Sequence, residues 1–176
     1  GGPWGGVAHR SREVFNPAGT FSPQAYVETC SVLAWLQLNR ELLRITGQAR
    51  YAEEIERTAY NDLLGAASPN GHDWCYYSFA NGPRVHTTYW RCCKSSGAMA
   101  LEELPALMYQ IGDAGQLQVN LYSPGRASLQ LPDGQVDVVQ SGRYPLQGDI
   151  RMEISPQQPM AFGLRLRIPA WARDAR

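Results

Sequence analysis

An α+β chain of two successive parts, helices first and antiparallel strands second, is what this sequence predicts. Up to about residue 112 apolar side chains recur at three- and four-residue spacing, and beyond it they alternate with polar ones. Helices followed by strands, without interleaved βα units, separate into domains, here 1–112 and 113–176. The 176 residues are 44% apolar and 18% charged, the make-up of an ordinary globular protein. The 16 basic and 16 acidic residues cancel without long runs of like charge, so neither nucleic acid nor an anionic membrane surface is an expected partner. No apolar run approaches the roughly 20 residues of a membrane span.

The stretch up to Pro23 is rich in Gly, Pro, Ser and Asn, has no period, and reads as loop; it carries His9, Arg10, Arg12 and Glu13. Its start, Gly1-Gly2-Pro3, has neither an initiator Met nor the layout of a signal peptide, so a fragment of a longer chain is expected. A helix is predicted over 25–46. Val32, Leu36 and Leu43 form one apolar stripe and Trp35, Leu38, Leu42 and Ile45 a second, which predicts burial on two sides, and Gly47 supplies the stop. A second helix over about 51–64 carries Tyr51, Ile55, Ala59 and Leu63 at four-residue spacing, Glu53 and Glu54 in its first turn and Gly65 at its end. The two should pack across their short connection. Asn81-Gly82, between Trp74, Tyr76, Tyr77, Phe79 and Val85, Thr87, Tyr89, predicts a hairpin. A third helix should start just after Cys93, capped by Ser95 or Ser96, with Met99, Leu101, Leu104 and Met108 facing inward and Pro105 kinking or ending it. From Leu117 to Ile168 alternating runs separated by Pro124-Gly125, Asp133-Gly134 and Pro156 predict antiparallel strands.

The chemistry is concentrated in Glu28, Cys30, Cys92 and Cys93. Three thiols and a carboxylate make a complete tetrahedral donor set for zinc, a borderline-soft ion that accepts both. Vicinal Cys92 and Cys93 are poorly placed to bridge each other, so a metal or reactive site accounts for them better than two disulfides. Cys75 stands apart and reads as a buried free thiol. Glu28 and Cys30 would diverge by about 200° on a regular helix. A shared ion therefore requires extended backbone there, which Pro23 and a capping-competent Thr29 make available, with Glu28 ahead of the cap. Cys92 and Cys93 likewise predict irregular backbone. The spacing is not that of paired zinc knuckles, and a structural zinc and a catalytic one fit it equally. A carboxylate ligand leaves one thiolate with nucleophilic character, and both zinc and a helix N-terminus stabilise thiolate. Glu13, a carboxyl among aromatics, has the type of a general acid, although an exposed loop glutamate more commonly has no role. Trp74, Tyr76, Tyr77, Tyr89 and Trp90 offer faces for sugar C–H groups, and about half of them suit a hairpin core equally well. His72 and His86 lie in the same region. A redox-active vicinal dithiol would give no role to Glu28 or Cys30.

Taken together, Glu13-Val14-Phe15, the run from Tyr26 to Cys30, the helix from Arg50 to Asn61, Trp90-Arg91-Cys92-Cys93 and Val119-Asn120-Leu121-Tyr122 resemble glycoside hydrolase family 127, the β-L-arabinofuranosidase group. The resemblance implies the C-terminal part of an (α/α)6 barrel followed by the start of a β-sandwich. It implies zinc held by Glu28, Cys30, Cys92 and Cys93, with Cys92 also the nucleophile and Glu13 the acid/base of a retaining hydrolysis. A carbohydrate, an arabinofuranoside or related glycoside, is the implied substrate, with Trp90, Tyr77 and His86 as candidate contacts. On that resemblance about three of some twelve barrel helices are present and the pocket's other walls are missing, so the isolated piece is expected to be inactive, and its two-sided helix to promote poor solubility or homo-oligomerisation. The rival class is a non-catalytic, zinc-stapled carbohydrate-binding or scaffold module. The cytoplasm is slightly favoured over the periplasm.

Overall fold

Trp4–Gly5 (β1) pairs antiparallel with Tyr26–Glu28 (β2), so the chain enters its first helix from a strand. The computed structural model describes residues 4–5, 25–87 and 91–175, with backbone alone at 4, 5 and 91. These fall into two compact units, Gly1–Pro105 and Ala106–Arg176.

In the first unit, the helix predicted over 25–46 begins at Thr29 (α1, Thr29–Thr46). Residues 26–28 are buried throughout and pair with Tyr77–Phe79 (β4) on their other edge, which removes the alternation that would have marked them as strand. Glu28 holds the N-cap position in extended conformation (φ −94°, ψ 133°) and Thr29 is already helical, its hydroxyl donating to the Cys75 carbonyl at 2.6 Å instead of capping. Gly47 ends α1 in the left-handed region, its N–H reaching the Leu43 carbonyl at 2.8 Å. Of the two apolar stripes only Val32, Leu36 and Leu43 are buried, whereas Leu38 is 43% and Ile45 69% exposed. Burial of a Leu or Val side chain stabilises by about 1.5–3 kcal/mol, so this stripe anchors α1.

The second helix starts earlier than expected, at Ala49 (α2, Ala49–Arg57), which moves Glu53 and Glu54 out of its first turn. It passes through a π-helical turn, Thr58–Leu63, into a last helical turn, Leu64–Ala66 (α3), so Gly65 lies inside the helical run. The widened turn carries Asp62, whose carboxyl burial raises to about 6, with Arg57 opposing the shift and Glu54 adding to it.

Trp74–Cys75 (β3) pairs with His86–Thr87 (β5) while β4 pairs with β2. Asn81-Gly82 does sit in a turn, but the strand before it is taken by β2 and no tight hairpin forms. The third long helix, Arg91–Leu107 (α4), begins two residues before Cys93 and runs two past Pro105. Its buried residues are Cys93, Gly97, Ala100 and Leu107, and the expected inward residues Met99 and Leu101 are exposed. A Cβ at Gly97 would lie 2.5 Å from the Trp74 ring, so small residues here let α4 seat against that indole.

The second unit holds two three-stranded sheets. Gly125–Leu131 (β8), Gly134–Gly142 (β9) and Ile150–Pro156 (β10) form an antiparallel meander, its first turn made by the two residues before Gly134. Tyr109–Ile111 (β6), Leu117–Val119 (β7) and Leu164–Leu166 (β11) form the other. Strand β11 runs parallel to β7, against the expectation of antiparallel strands throughout, because the chain crosses over before pairing. Leu117, Leu131, Val136 and Val138 form the core of this unit. Leu164, Leu166 and Ile168, predicted to alternate inward, are 43%, 50% and 60% exposed.

Asp62 yields a stability prediction with a definite sign. Its folded value of about 6 exceeds the unfolded 3.8, so between these pH values the folded chain holds a proton that the unfolded chain has lost. Stability from this group is therefore highest below about pH 4, falls as pH rises to about 6, and is flat above; the full effect is about 3 kcal/mol. Urea unfolding at pH 4 to 7 should show this decline in the parent minus Asp62→Asn difference. A difference that does not change with pH would contradict it.

Candidate metal centre

Two helix N-termini carry the cysteines. Cys30 is the second residue of α1, and Cys92 and Cys93 are the second and third of α4. The sulfur of Cys30 lies 3.5 Å from that of Cys93, and Cys93 lies 4.0 Å from Cys92. All three sulfurs fall within 4.8 Å of one another, a grouping that could hold a metal ion, and all four cysteines are free of disulfides. The irregular backbone expected at Cys92 and Cys93 is instead the first turn of a helix. Side chains of a helix tilt toward its N-terminus, and with no preceding turn to occupy that space two adjacent thiols can converge.

Burial holds two of these thiols protonated in the absence of a cation. It pushes the Cys93 thiol strongly upward, with the neighbouring Cys30 and Cys92 adding to it. The Cys30 thiol is raised chiefly by burial too, and the Ser96 hydroxyl, 3.4 Å from its sulfur, works the other way. Cys92 is the exposed member of the three. A metal ion would have to displace these protons, so its binding would release them.

Several contacts fix the cluster. The backbone N–H of Thr29 donates to the Tyr76 carbonyl at 3.2 Å, and its hydroxyl to Cys75, tying the start of α1 to β3. Lys94 pairs with Asp73 at 2.6 Å, tying the start of α4 to the residue just ahead of that strand. Further along, Glu103 of α4 accepts from Gln37 at 2.8 Å and from Arg40 at 2.9 Å. Cys30 meets Cys93, and Arg40 meets Glu103, each ten residues further on, so α1 and α4 run side by side in the same direction. Both positive helix ends thus point at the sulfurs, which favours anionic groups there.

Glu28 is 2% exposed, one residue ahead of α1, in the extended backbone that its pairing with Cys30 required. Its carboxylate is not part of the 4.8 Å group, and Tyr76 feels the charges of both Glu28 and Cys92. The pKa of the Tyr76 hydroxyl is driven upward first by burial, then by the neighbouring charges of Glu28, Tyr77 and Cys92. Tyr77 stands opposite Glu28 in the β2–β4 register, its ring 4.2 Å from Tyr26 and 4.4 Å from Tyr76. His86 stands opposite Cys75 on β5, with a buried Nε2 that has no partner among the described residues. Cys75 is fully buried and outside the cluster, its thiol raised by burial. Glu13 and Trp90 lie outside the described residues. Sequence reasoning offered Tyr76 as one of five sugar-facing aromatics and not as a neighbour of Glu28. Its signal was the aromatic run 74–79, but that run does not show that β4 pairs with the strand carrying Glu28.

Comparison with known proteins supplies the class. The family model described as "Beta-L-arabinofuranosidase, GH127 catalytic domain" matches residues 4–106, and that of the GH127 middle domain matches 116–176. A solved GH127 β-arabinofuranosidase superposes with a TM-score of 0.80 at 31% identity, covering 90% of this chain and 25% of its own. A GH127 β-L-arabinofuranosidase from Geobacillus stearothermophilus T6 gives 0.73 at 24%, covering 84% and 25%, and a structure titled glycoside hydrolase gives 0.72 at 27%, covering 85% and 27%. No curated protein matches. The class is that of the glycoside hydrolases, and this chain belongs to family GH127. It spans about a quarter of the length of those solved relatives.

The sulfur grouping predicts a metal-dependent stability. Adding one equivalent of zinc to chelator-treated protein should raise Tm and release protons into a weakly buffered solution. Cys93→Ser should abolish both responses. A Tm indifferent to both chelator and zinc would contradict a metal at these sulfurs.

Proposed function

We propose that this chain is part of a zinc-dependent retaining glycoside hydrolase acting on β-L-arabinofuranosides or related glycosides. Residues 1–112 would supply the C-terminal part of an (α/α)6 barrel and 113–176 the start of a β-sandwich. The two compact units and the two matched domains support that division. Glu28, Cys30, Cys92 and Cys93 would hold the zinc. Sulfurs around a tetrahedral zinc stand about 3.8 Å apart, given a Zn–S bond of about 2.3 Å. The separations of 3.5 and 4.0 Å bracket that value. When bound, zinc supplies the positive charge that keeps the thiols ionised within a buried site.

The observation that carries the reading is the unequal exposure of the cluster. Cys93 is buried and Cys30 half-buried, while Cys92 faces solvent, so one sulfur of three is within reach of a substrate. In the first step Cys92 Sγ forms a bond to the anomeric carbon as the bond to the leaving oxygen breaks, and Glu13 gives that oxygen its proton. In the second step Glu13 takes a proton from water, whose oxygen bonds to the anomeric carbon as the C–S bond breaks. The Cys92 thiolate and the Glu13 carboxyl return to their starting states. Tyr76, on which the charges of both Glu28 and Cys92 act, would help to orient the carboxylate relative to the attacking sulfur. Tyr77, His86 and Trp90 would contact the sugar.

Cys92→Ser in the intact protein tests this. Because Cys92 is exposed, the variant should keep its fold and Tm within a few degrees, while cleavage of an aryl β-L-arabinofuranoside falls by at least about 10³-fold. Cys93→Ser should lose folding and activity together. Cleavage at the parent rate by Cys92→Ser would refute the nucleophile. Parallel loss of fold and activity in both variants would favour the zinc-stapled scaffold.

A further inference from the structure

Ser96 stands at the sulfur cluster without being one of its donors. Capping α4 was its expected place, but that helix already starts at Arg91, so Ser96 lies inside it, four residues past Cys92 and three past Cys93. Residues at these spacings share one helix face, and side chains tilt toward the N-terminus, so the hydroxyl is carried back over the vicinal thiols. A serine within a helix commonly turns its hydroxyl to the carbonyl four residues back. Ser96 instead sends it across to α1, donating to Cys30 Sγ at 3.4 Å over 66 residues of chain. Both partners belong to the first compact unit, and contacts on either side of Ser96 fix its register. Lys94 pairs with Asp73, and the Trp74 indole lies so close to Gly97 that a Cβ there would stand 2.5 Å from the ring.

The sulfur–sulfur contacts and the hydroxyl contact respond differently to loss of the thiol protons. Cys30 meets Cys93 at 3.5 Å and Cys92 meets Cys93 at 4.0 Å, and each of these needs an S–H on one side. With all three thiols ionised around a metal ion, neither pair has a proton left to share. Ser96 keeps its own. Its bond to Cys30 then joins a hydroxyl to an anionic sulfur, the charge-assisted kind that is roughly twice as strong as a neutral one. A donor placed on a ligand atom orients that ligand, and the sulfur lone pair that accepts the proton is stabilised by it.

We infer that Ser96 is a positioning residue that holds Cys30 in place as a metal ligand and lowers its reactivity toward carbon, so that bond formation is left to Cys92. The electrons that Cys30 would offer to an electrophile are partly engaged by the Ser96 proton. This rests on the reading above, in which the sulfurs hold zinc and Cys92 attacks, and it adds a chemical difference between the thiolates to their difference in exposure.

The test loads the intact protein with cobalt(II), whose sulfur-to-metal charge-transfer bands report the electron density on the sulfurs and whose d–d bands report tetrahedral geometry. Ser96→Ala should move the charge-transfer bands to longer wavelength while the d–d bands stay. Its zinc affinity, read by competition with a chromophoric chelator, should fall about tenfold. Ser96→Thr keeps the hydroxyl and should restore both, which separates loss of the hydrogen bond from a change in packing. When the zinc-loaded protein is treated with iodoacetamide, peptide mass mapping should show the ratio of Cys30 to Cys92 alkylation rising about fivefold in Ser96→Ala. Unshifted charge-transfer bands, an unchanged alkylation ratio, or a Ser96→Thr variant that behaves like Ser96→Ala would each overturn the inference. A parent protein that takes up no cobalt would overturn it together with the zinc reading. Failure of the hydrolytic role of Cys92 would appear separately, as cleavage of an aryl arabinofuranoside by Cys92→Ser at the parent rate while the spectral shift in Ser96→Ala persists.

Discussion

Cys30 and Cys93 meet sulfur to sulfur at 3.5 Å across 63 residues of chain, and the arrangement of the first unit follows from that meeting. Closing a loop of that length costs about 4 kcal/mol of chain entropy beyond the constant term, more than one thiol contact supplies. The cost is shared by contacts flanking the sulfurs. Thr29 fastens α1 to Cys75 and Tyr76, Lys94 fastens α4 to Asp73, and Glu103 joins the two helices ten residues downstream. With the helices fixed at both places, their N-termini cannot separate without breaking all of these.

Such a meeting concentrates groups that would each prefer water. Burial raises the Cys30 and Cys93 thiols, and Glu28 is almost wholly enclosed beside Tyr76. Buried polar groups without compensation cost free energy, and a divalent cation would offset that cost for all of them at once. On the proposed reading the same charge gives Cys92 its role, since it is the sulfur left at the surface of an otherwise enclosed cluster.

Local pattern revealed some of this and could not reveal the rest. The helical period over residues 32–43 and the αL stop at Gly47 were legible because both are local properties. The grouping of Cys30 with Cys92 and Cys93 was legible because few donor sets combine three thiols with a carboxylate. Strand β2 was not, because three residues buried on both faces show no alternation. The face of α4 was misread because Gly97 and Ala100, small residues, pack inward where Trp74 needs room, leaving the larger Met99 and Leu101 outside. The wide ladder around Asn81-Gly82 and the parallel seat of β11 depend on partners distant in sequence.

X-ray absorption at the zinc edge of the intact, purified protein tests the central claim most directly, because it counts ligands by element. The account predicts three sulfur scatterers at about 2.3 Å and one oxygen near 2.0–2.2 Å, with the oxygen lost or replaced in Glu28→Ala. A protein that binds no zinc, or one whose zinc sees only nitrogen and oxygen, would contradict it.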